Sequence, residues 1–344
     1  MTIPEHTPSR YPHRVRGNVT LLFCAFLWGM AFTAQRSGMQ WLGPFLFNGL
    51  REWLGVLTLI LIIVCVYLGT RLRCRVDLAD FLLEADFLEQ AARRRKVSKK
   101  RAARPLLCRH LLIGGVITGV VLCFASNLQQ VGLVYTAAGK GAFITAMYIV
   151  LVPLAGLFLR RHIRWTSWLA VGLAVVGLYL LCVTSGFGVS LGDLLLIGCA
   201  LGWTGHILVV DRYVQGLSWQ GTLVFSGISF AVCGLLSFCG VPFDHFFSAA
   251  TPTLGHLLQV APELLYAGVV SSGIAFTLQA VGQKYAPPQI ASILMSLESA
   301  FGLLGGAVLL GERLLLPQLA GCALMLLAVV LAQVDFKGRR RNLR

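Results

Sequence analysis

Charge is what this sequence is shortest of: 12% of its 344 residues are charged, and only 14 of them are acidic, while 57% are hydrophobic. A water-soluble domain needs far more polar surface than that, so an ordinary soluble enzyme or binding module is excluded. No CxxC pair occurs, and eight of the ten cysteines (Cys24, Cys65, Cys123, Cys182, Cys199, Cys233, Cys239 and Cys322) lie inside apolar segments. Buried thiols of that kind behave as small hydrophobes, which argues against a disulfide framework, a zinc site or any other metal centre. The GxxxxGK[ST] loop is missing too, so ATP hydrolysis by this chain has no support, and no cofactor is expected. Acids and histidines nowhere cluster as a membrane-embedded transferase would need.

What is present is a series of apolar segments. They fall at about 18–38, 44–68, 109–131, 137–159, 165–184, 192–213, 220–241, 258–281, 287–310 and 314–334. Each is long enough to cross roughly 30 Å of hydrocarbon as a helix, and lipid leaves the backbone no other open-ended solution. The spacing predicts ten spans. Arg14 and Arg16 ahead of the first resemble a signal peptide, but no small-x-small cleavage pattern closes it, so it is read as a span. The net charge of +15 does not imply nucleic acid, because the basic residues sit in the gaps between spans. With the termini in the cytoplasm, 25 of 29 Lys and Arg fall on that side, leaving only Arg36, Arg51, Lys140 and Arg313 elsewhere. Both termini are therefore predicted cytoplasmic, in a multi-pass protein of the plasma membrane, the inner membrane of a bacterium.

An internal repeat organises the chain. LQQVGLVY (128–135) recurs as LQAVGQKY (278–285), identical at five of eight positions at an offset of 150, and the offset persists through Gly156/Gly306 and Leu159/Leu309. Spans three and four thus correspond to eight and nine. Weaker matches link Trp28 to Trp203, and Trp41, Phe47 and Gly49 to Trp219, Phe225 and Gly227. A unit that repeats after five spans enters the membrane in opposite directions, the inverted topology of many secondary transporters, with substrate expected near the midplane.

Three stretches carry a resemblance: LLFCAFLWGMAFTAQRSGMQWLGPFLFNGLRE, LQQVGLVYTAAGKGAFITAMYIVLVP and APPQIASILMSLESAFGLLGGAVLLGERL. They resemble the EamA family of the drug/metabolite transporter superfamily. That resemblance implies an all-α integral membrane fold, ten transmembrane helices as two inverted five-helix EamA repeats, with a central substrate cavity. It places a cytoplasmic tail at 1–17, the first repeat at 18–184, the second at 192–334 and a basic cytoplasmic tail at 335–344. It also implies export or permeation of amino acids and related metabolites. The sequence departs from the family between about 70 and 105, where a basic insertion replaces a short connection. Leu78, Phe81, Leu82, Ala85 and Leu88 share a helical face there, which fits either an interfacial helix on anionic lipid or a solvated basic loop.

The candidate site residues are the polar ones within spans. Glu298 lies near the centre of the ninth, where a carboxylate costs roughly 2.5 to 3.5 kcal/mol, so it must face protein or a watery cavity. It is the first candidate for a proton or substrate-amine site, and its repeat partner is Tyr148. Arg51, in the LR motif, either holds a substrate carboxylate or snorkels; an ion pair with Glu52 is one possibility, but adjacent residues point in different directions on a helix, so each is expected to find another partner. Trp203 and His206 share a face of the sixth span, with Trp28 equivalent to Trp203; His206 is either a second proton-coupling candidate or a hydrogen-bonded core residue. Gln129 and Gln279, repeated in LQxVGxxY, and Asn48, with Gln35 and Asn127 as further amides, either bind substrate or glue helices. Gly115/Gly119, Gly198/Gly202 and Gly302/Gly306 read as close-packing pairs, and Pro153 as a helix kink.

The reading is a secondary transporter, not an enzyme, whose partners are a small-molecule substrate and membrane lipid and which leaves room for a homodimer. A sensor or scaffold working through the insertion is the alternative, and a lipid-modifying enzyme a weaker one.

Overall fold

The computed structural model describes residues 13–73, 81–95, 98–136, 138–160, 163, 165–182, 190–248, 252–310 and 315–333. Most of the expected N-terminal tail, the tail from 335, and Leu78, Cys74 and Arg313 lie outside these residues. Among the described residues the chain is helical, with one isolated antiparallel bridge, Leu83 to Leu217.

The helices run α1 Arg14–Gly29, α2 Ala31–Leu42, α3 Pro44–Arg73, α4 Ala85–Arg95, α5 Lys99–Leu107, α6 Gly114–Tyr135, α7 Ala138–Thr145, α8 Tyr148–Phe158 and α9 Trp165–Cys182. Then come α10 Leu191–Tyr213, α11 Trp219–Phe238, α12 Leu254–Gln259, α13 Ala261–Leu265, α14 Thr277–Gln283, α15 Pro288–Met295, α16 Glu298–Leu310 and α17 Leu316–Gln333. A π-helical stretch, Cys108–Ile113, joins α5 to α6, and another, Tyr266–Phe276, joins α13 to α14. Among the described residues, six segments are long and apolar enough to cross a membrane: Pro44–Gly69, Pro105–Tyr135, Gly141–Phe158, Leu191–Tyr213, Trp219–Phe238 and Ala261–Gln283. Trp165–Leu180, Pro288–Leu304 and Leu316–Ala332 are shorter apolar helices. The expected first span is divided at Met30 into α1 and α2.

Local chemistry fixes the helix starts. Ser190 and Asp193 form a reciprocal capping box at α10, and Ser218 caps α11 by accepting from Gly221 N at 2.9 Å. Asp244 caps α3 from a distance, accepting from Phe45 N at 2.9 Å and Leu46 N at 2.8 Å. Pro44, Pro262 and Pro288 stand where a helix needs no N–H.

The bundle inverts the water-soluble pattern. Leu57, Leu61, Leu194, Ile197, Leu201 and Val330 face outward, while Asn48, Glu52, Gln129, Gln130, His206, Gln279 and Gln283 are buried. Polar groups so placed must satisfy one another. The principal packing pairs are α6 with α10, α1 with α14, α15 and α16, α3 with α11, α9 with α17, and α8 with α15. Gly29 and Gly302 let α1 and α16 touch backbone to backbone: a Cβ on either would stand 2.7 Å from the other's backbone.

Two helices break at equivalent places. Between α7 and α8, Met147 N bonds Ile144 O and Ile149 N bonds Ala146 O; between α15 and α16, Leu297 N bonds Leu294 O and Ser299 N bonds Ser296 O. These i to i−3 bonds repeat at an offset of 150. A proline is not required for the break, since Pro153 lies within α8, past the break, and α16 has leucine at 303.

The described part of the insertion packs on the bundle. Phe81, Leu82, Leu83, Leu88 and Ala92 are buried with Ala102, Ala103 and Leu106 against Val210, Val214, Leu217 and Phe225 of α10, α11 and their connection. Its apolar face found protein, and Ala85 alone of the described face residues is exposed.

Candidate functional site

The two broken helices deliver their first residues, Tyr148 of α8 and Glu298 of α16, to a cavity of about 490 Å³ counted to its open mouth. The Tyr148 hydroxyl donates to Glu298 Oε1 at 3.4 Å. Glu298 sits in the first turn of α16, where the positive end of the helix dipole favours a carboxylate.

Aromatic rings make the walls, and each indole is pinned by a distant helix. Trp203 Nε1 donates to Gln129 Oε1 at 3.0 Å, tying α10 to α6; Trp28 Nε1 donates to Ser271 O at 3.3 Å, tying α1 to the π-helical stretch before α14. Phe276 stands between them, its ring centroid 4.6 Å from that of Trp28 and 5.6 Å from that of Trp203, nearly parallel to the latter. Such contacts hold the rings as a rigid box.

Arg51 enters the same cavity from α3. Its Nε donates to Glu52 Oε1 at 3.1 Å, and Ser272 Oγ donates to that oxygen at 3.2 Å. The neighbours therefore do pair, against the preference from helix geometry, because the long Arg51 side chain reaches Glu52. Glu52 Oε2 is buried with no partner. Gln279 donates to Gln283 Oε1 at 3.0 Å, and its own Oε1 is unpartnered beside the cavity.

Eight predicted residues thus line one cavity: Trp28, Gln35, Arg51, Gln129, Tyr148, Trp203, Gln279 and Glu298. Asn48 does not. It is fully buried and donates to Ser126 Oγ, Asn127 Oδ1 and Ser237 Oγ, each at 3.0 Å, so it joins α3, α6 and α11 as helix glue. His206 also lies outside the lining, its ring 5.5 Å from Trp203 and 5.9 Å from Phe276, with Nδ1 unpartnered. Sequence reasoning missed Thr145, Ser271, Phe276 and Met295 as lining residues. Thr145 and Met295 stand 150 apart, each three residues before Tyr148 and Glu298, so the repeat offset carried their signal.

Residues 190–333 match the model of the EamA-like transporter family. Over 93% of its length the chain is 28% identical to an "Uncharacterized transporter" of Archaeoglobus fulgidus, covering 87% of that protein. A crystal structure at 18% identity shares the fold, with a TM-score of 0.65 over 94% of this chain and 98% of that one. The match to that family model and the apolar helices long enough to span a bilayer agree with a multi-pass membrane protein. The matched segment supplies Trp203, Phe276, Gln279 and Glu298 to the cavity, while Trp28, Arg51, Gln129 and Tyr148 come from the half before it.

Proposed function

We propose that the chain is a secondary transporter, exporter or permease, which moves a small organic metabolite of the amino-acid kind through this cavity by alternating access. The moving parts are two inverted five-helix repeats, residues 18–184 and 192–334, making ten spans with both termini on the cytoplasmic side of the plasma membrane. The observation that carries this reading is the symmetry of the site: Tyr148 and Glu298 open equivalent half-helices at an offset of 150 and meet in one cavity. The packing supports it, because α6 against α10 is matched by α14 against α1 when the halves are exchanged.

The lining suggests the solute. Arg51 offers a forked cation for a carboxylate, Glu298 an acid for an amine or a coupling proton, and Trp28, Trp203 and Phe276 an apolar, π-rich wall between. A solute bearing both charges and a small apolar side chain fits that lining. The test is flux into vesicles holding purified protein, across labelled amino acids, their decarboxylated amines and their deaminated acids. Saturable flux of an amino acid in preference to both fragments supports the reading; no flux of any compound refutes it and favours a sensor.

A further inference from the structure

The insertion is bound to the bundle by specific bonds, not by apolar contact alone. Leu83 pairs with Leu217 in the antiparallel bridge, with Glu84 N donating to Gly216 O at 2.9 Å and Ser218 N to Leu82 O at 3.1 Å. Ser218 Oγ donates to Phe81 O as well. Lys284, at the end of α14 and 4% exposed, donates from Nζ to Glu84 Oε1 at 2.7 Å and to Leu217 O. Two glycines admit the insertion. A Cβ on Gly221 would collide with Leu82 O, and one on Gly216, where φ is +83°, would collide with the Phe87 ring.

These bonds continue into the cavity. From Gln279 on its lining, a chain runs to Gln283, whose Nε2 donates to Ile207 O at 2.9 Å and whose carbonyl accepts from Gln215 Nε2 at 3.4 Å. Lys284 follows Gln283 directly. At the end of the cavity nearest Gln279, α10, α14 and the α10–α11 connection are thus bonded to one another, and residues 81–84 strap those elements together.

We propose that residues 81–84, with α4 and α5, are a strap that holds this end of the cavity shut, and that the Lys284–Glu84–Leu217 clasp must release before the cavity opens there. The proposal rests on the alternating-access reading. Removing the Glu84 charge leaves Lys284 buried with a carbonyl alone, which favours withdrawal of α14 from the strap.

The test needs no known substrate. A Met295→Cys reporter on the cavity lining is placed in a background whose native cysteines are replaced by alanine or serine, and a membrane-impermeant maleimide is applied from the Lys284 side of oriented vesicles. With the strap intact labelling is slow; in Glu84→Gln and in Gly221→Ala it quickens at least tenfold, while labelling from the opposite side, which reports an intact fold, is unchanged. Residues 83 and 217 face each other as a non-hydrogen-bonded pair, close enough for a disulfide. Oxidised Leu83→Cys/Leu217→Cys therefore blocks labelling from the Lys284 side, and reductant restores it. Equal labelling across all these forms overturns the strap. Labelling that responds as stated, with no compound transported, keeps the strap and rejects the transporter reading instead.

Discussion

Tyr148 and Glu298 stand 150 residues apart, occupy the same position of two matching helix breaks, and share a hydrogen bond of 3.4 Å inside one cavity. Each opens a half-helix, so any rocking of one half against the other stretches or shortens that bond. Tyr148→Phe removes the donor and keeps the carboxylate and the ring. Its expected effect is a five- to tenfold loss of flux, the scale of one hydrogen bond worth about 1 kcal/mol, with the protein still monodisperse in detergent. Unchanged flux makes the contact incidental.

Arg51 is held by Glu52 through Nε alone, leaving the rest of the fork toward the cavity. Arg51→Lys keeps the charge but loses the planar fork. Flux of carboxylate-bearing solutes is expected to fall at least tenfold, while any residual flux of amines without a carboxylate stays level. Equal losses for both classes assign Arg51 to structure.

Trp203→Phe preserves an aromatic wall but strips Gln129 Oε1 of its donor. A buried acceptor left unpaired costs about 1–3 kcal/mol, so the melting temperature drops. Gln129→Leu in the same chain recovers part of the loss, and a double-mutant cycle measures the coupling. Strict additivity rules out the bond as a determinant of stability.

Asp244 caps α3 with both carboxylate oxygens. Asp244→Ala is expected to cost about 1 kcal/mol, read as a lower melting temperature. Burial pushes the Asp244 carboxyl above its ordinary value, against the pull of the Phe45 and Leu46 amides. A raised pKa in the folded state means a contribution fully present below the ordinary aspartate range and lost as pH rises through the shifted value. The melting temperature of wild type minus that of Asp244→Asn therefore declines as pH rises through that window; a difference that grows instead contradicts the assignment.

Much of the site was legible because spans must be apolar, so every polar residue inside one is conspicuous. The 150-residue offset then picked out Tyr148 as the partner of Glu298 before any contact was known. What stayed hidden depends on partners far along the chain. Asn48 looked like a cavity residue because nothing local reveals that Ser126, Asn127 and Ser237, 78 to 189 residues away, surround it. The Arg51–Glu52 pair was missed because residue spacing gives helix directions and not the reach of a long side chain. Phe81, Leu82 and Leu88 read as lipid or solvent contacts because their receptor, the connection after α10, is short and has no pattern of its own.

In the proposed transporter two inverted halves share the cavity, and Glu298 is proposed there as the proton-coupling group. Accumulation of a transported amino acid in vesicles under an imposed pH gradient, wild type against Glu298→Gln, tests it most directly. The account predicts that the variant loses gradient-driven accumulation and keeps passive exchange. Equal accumulation in both would contradict it, leaving Glu298 a structural partner of Tyr148 and no more.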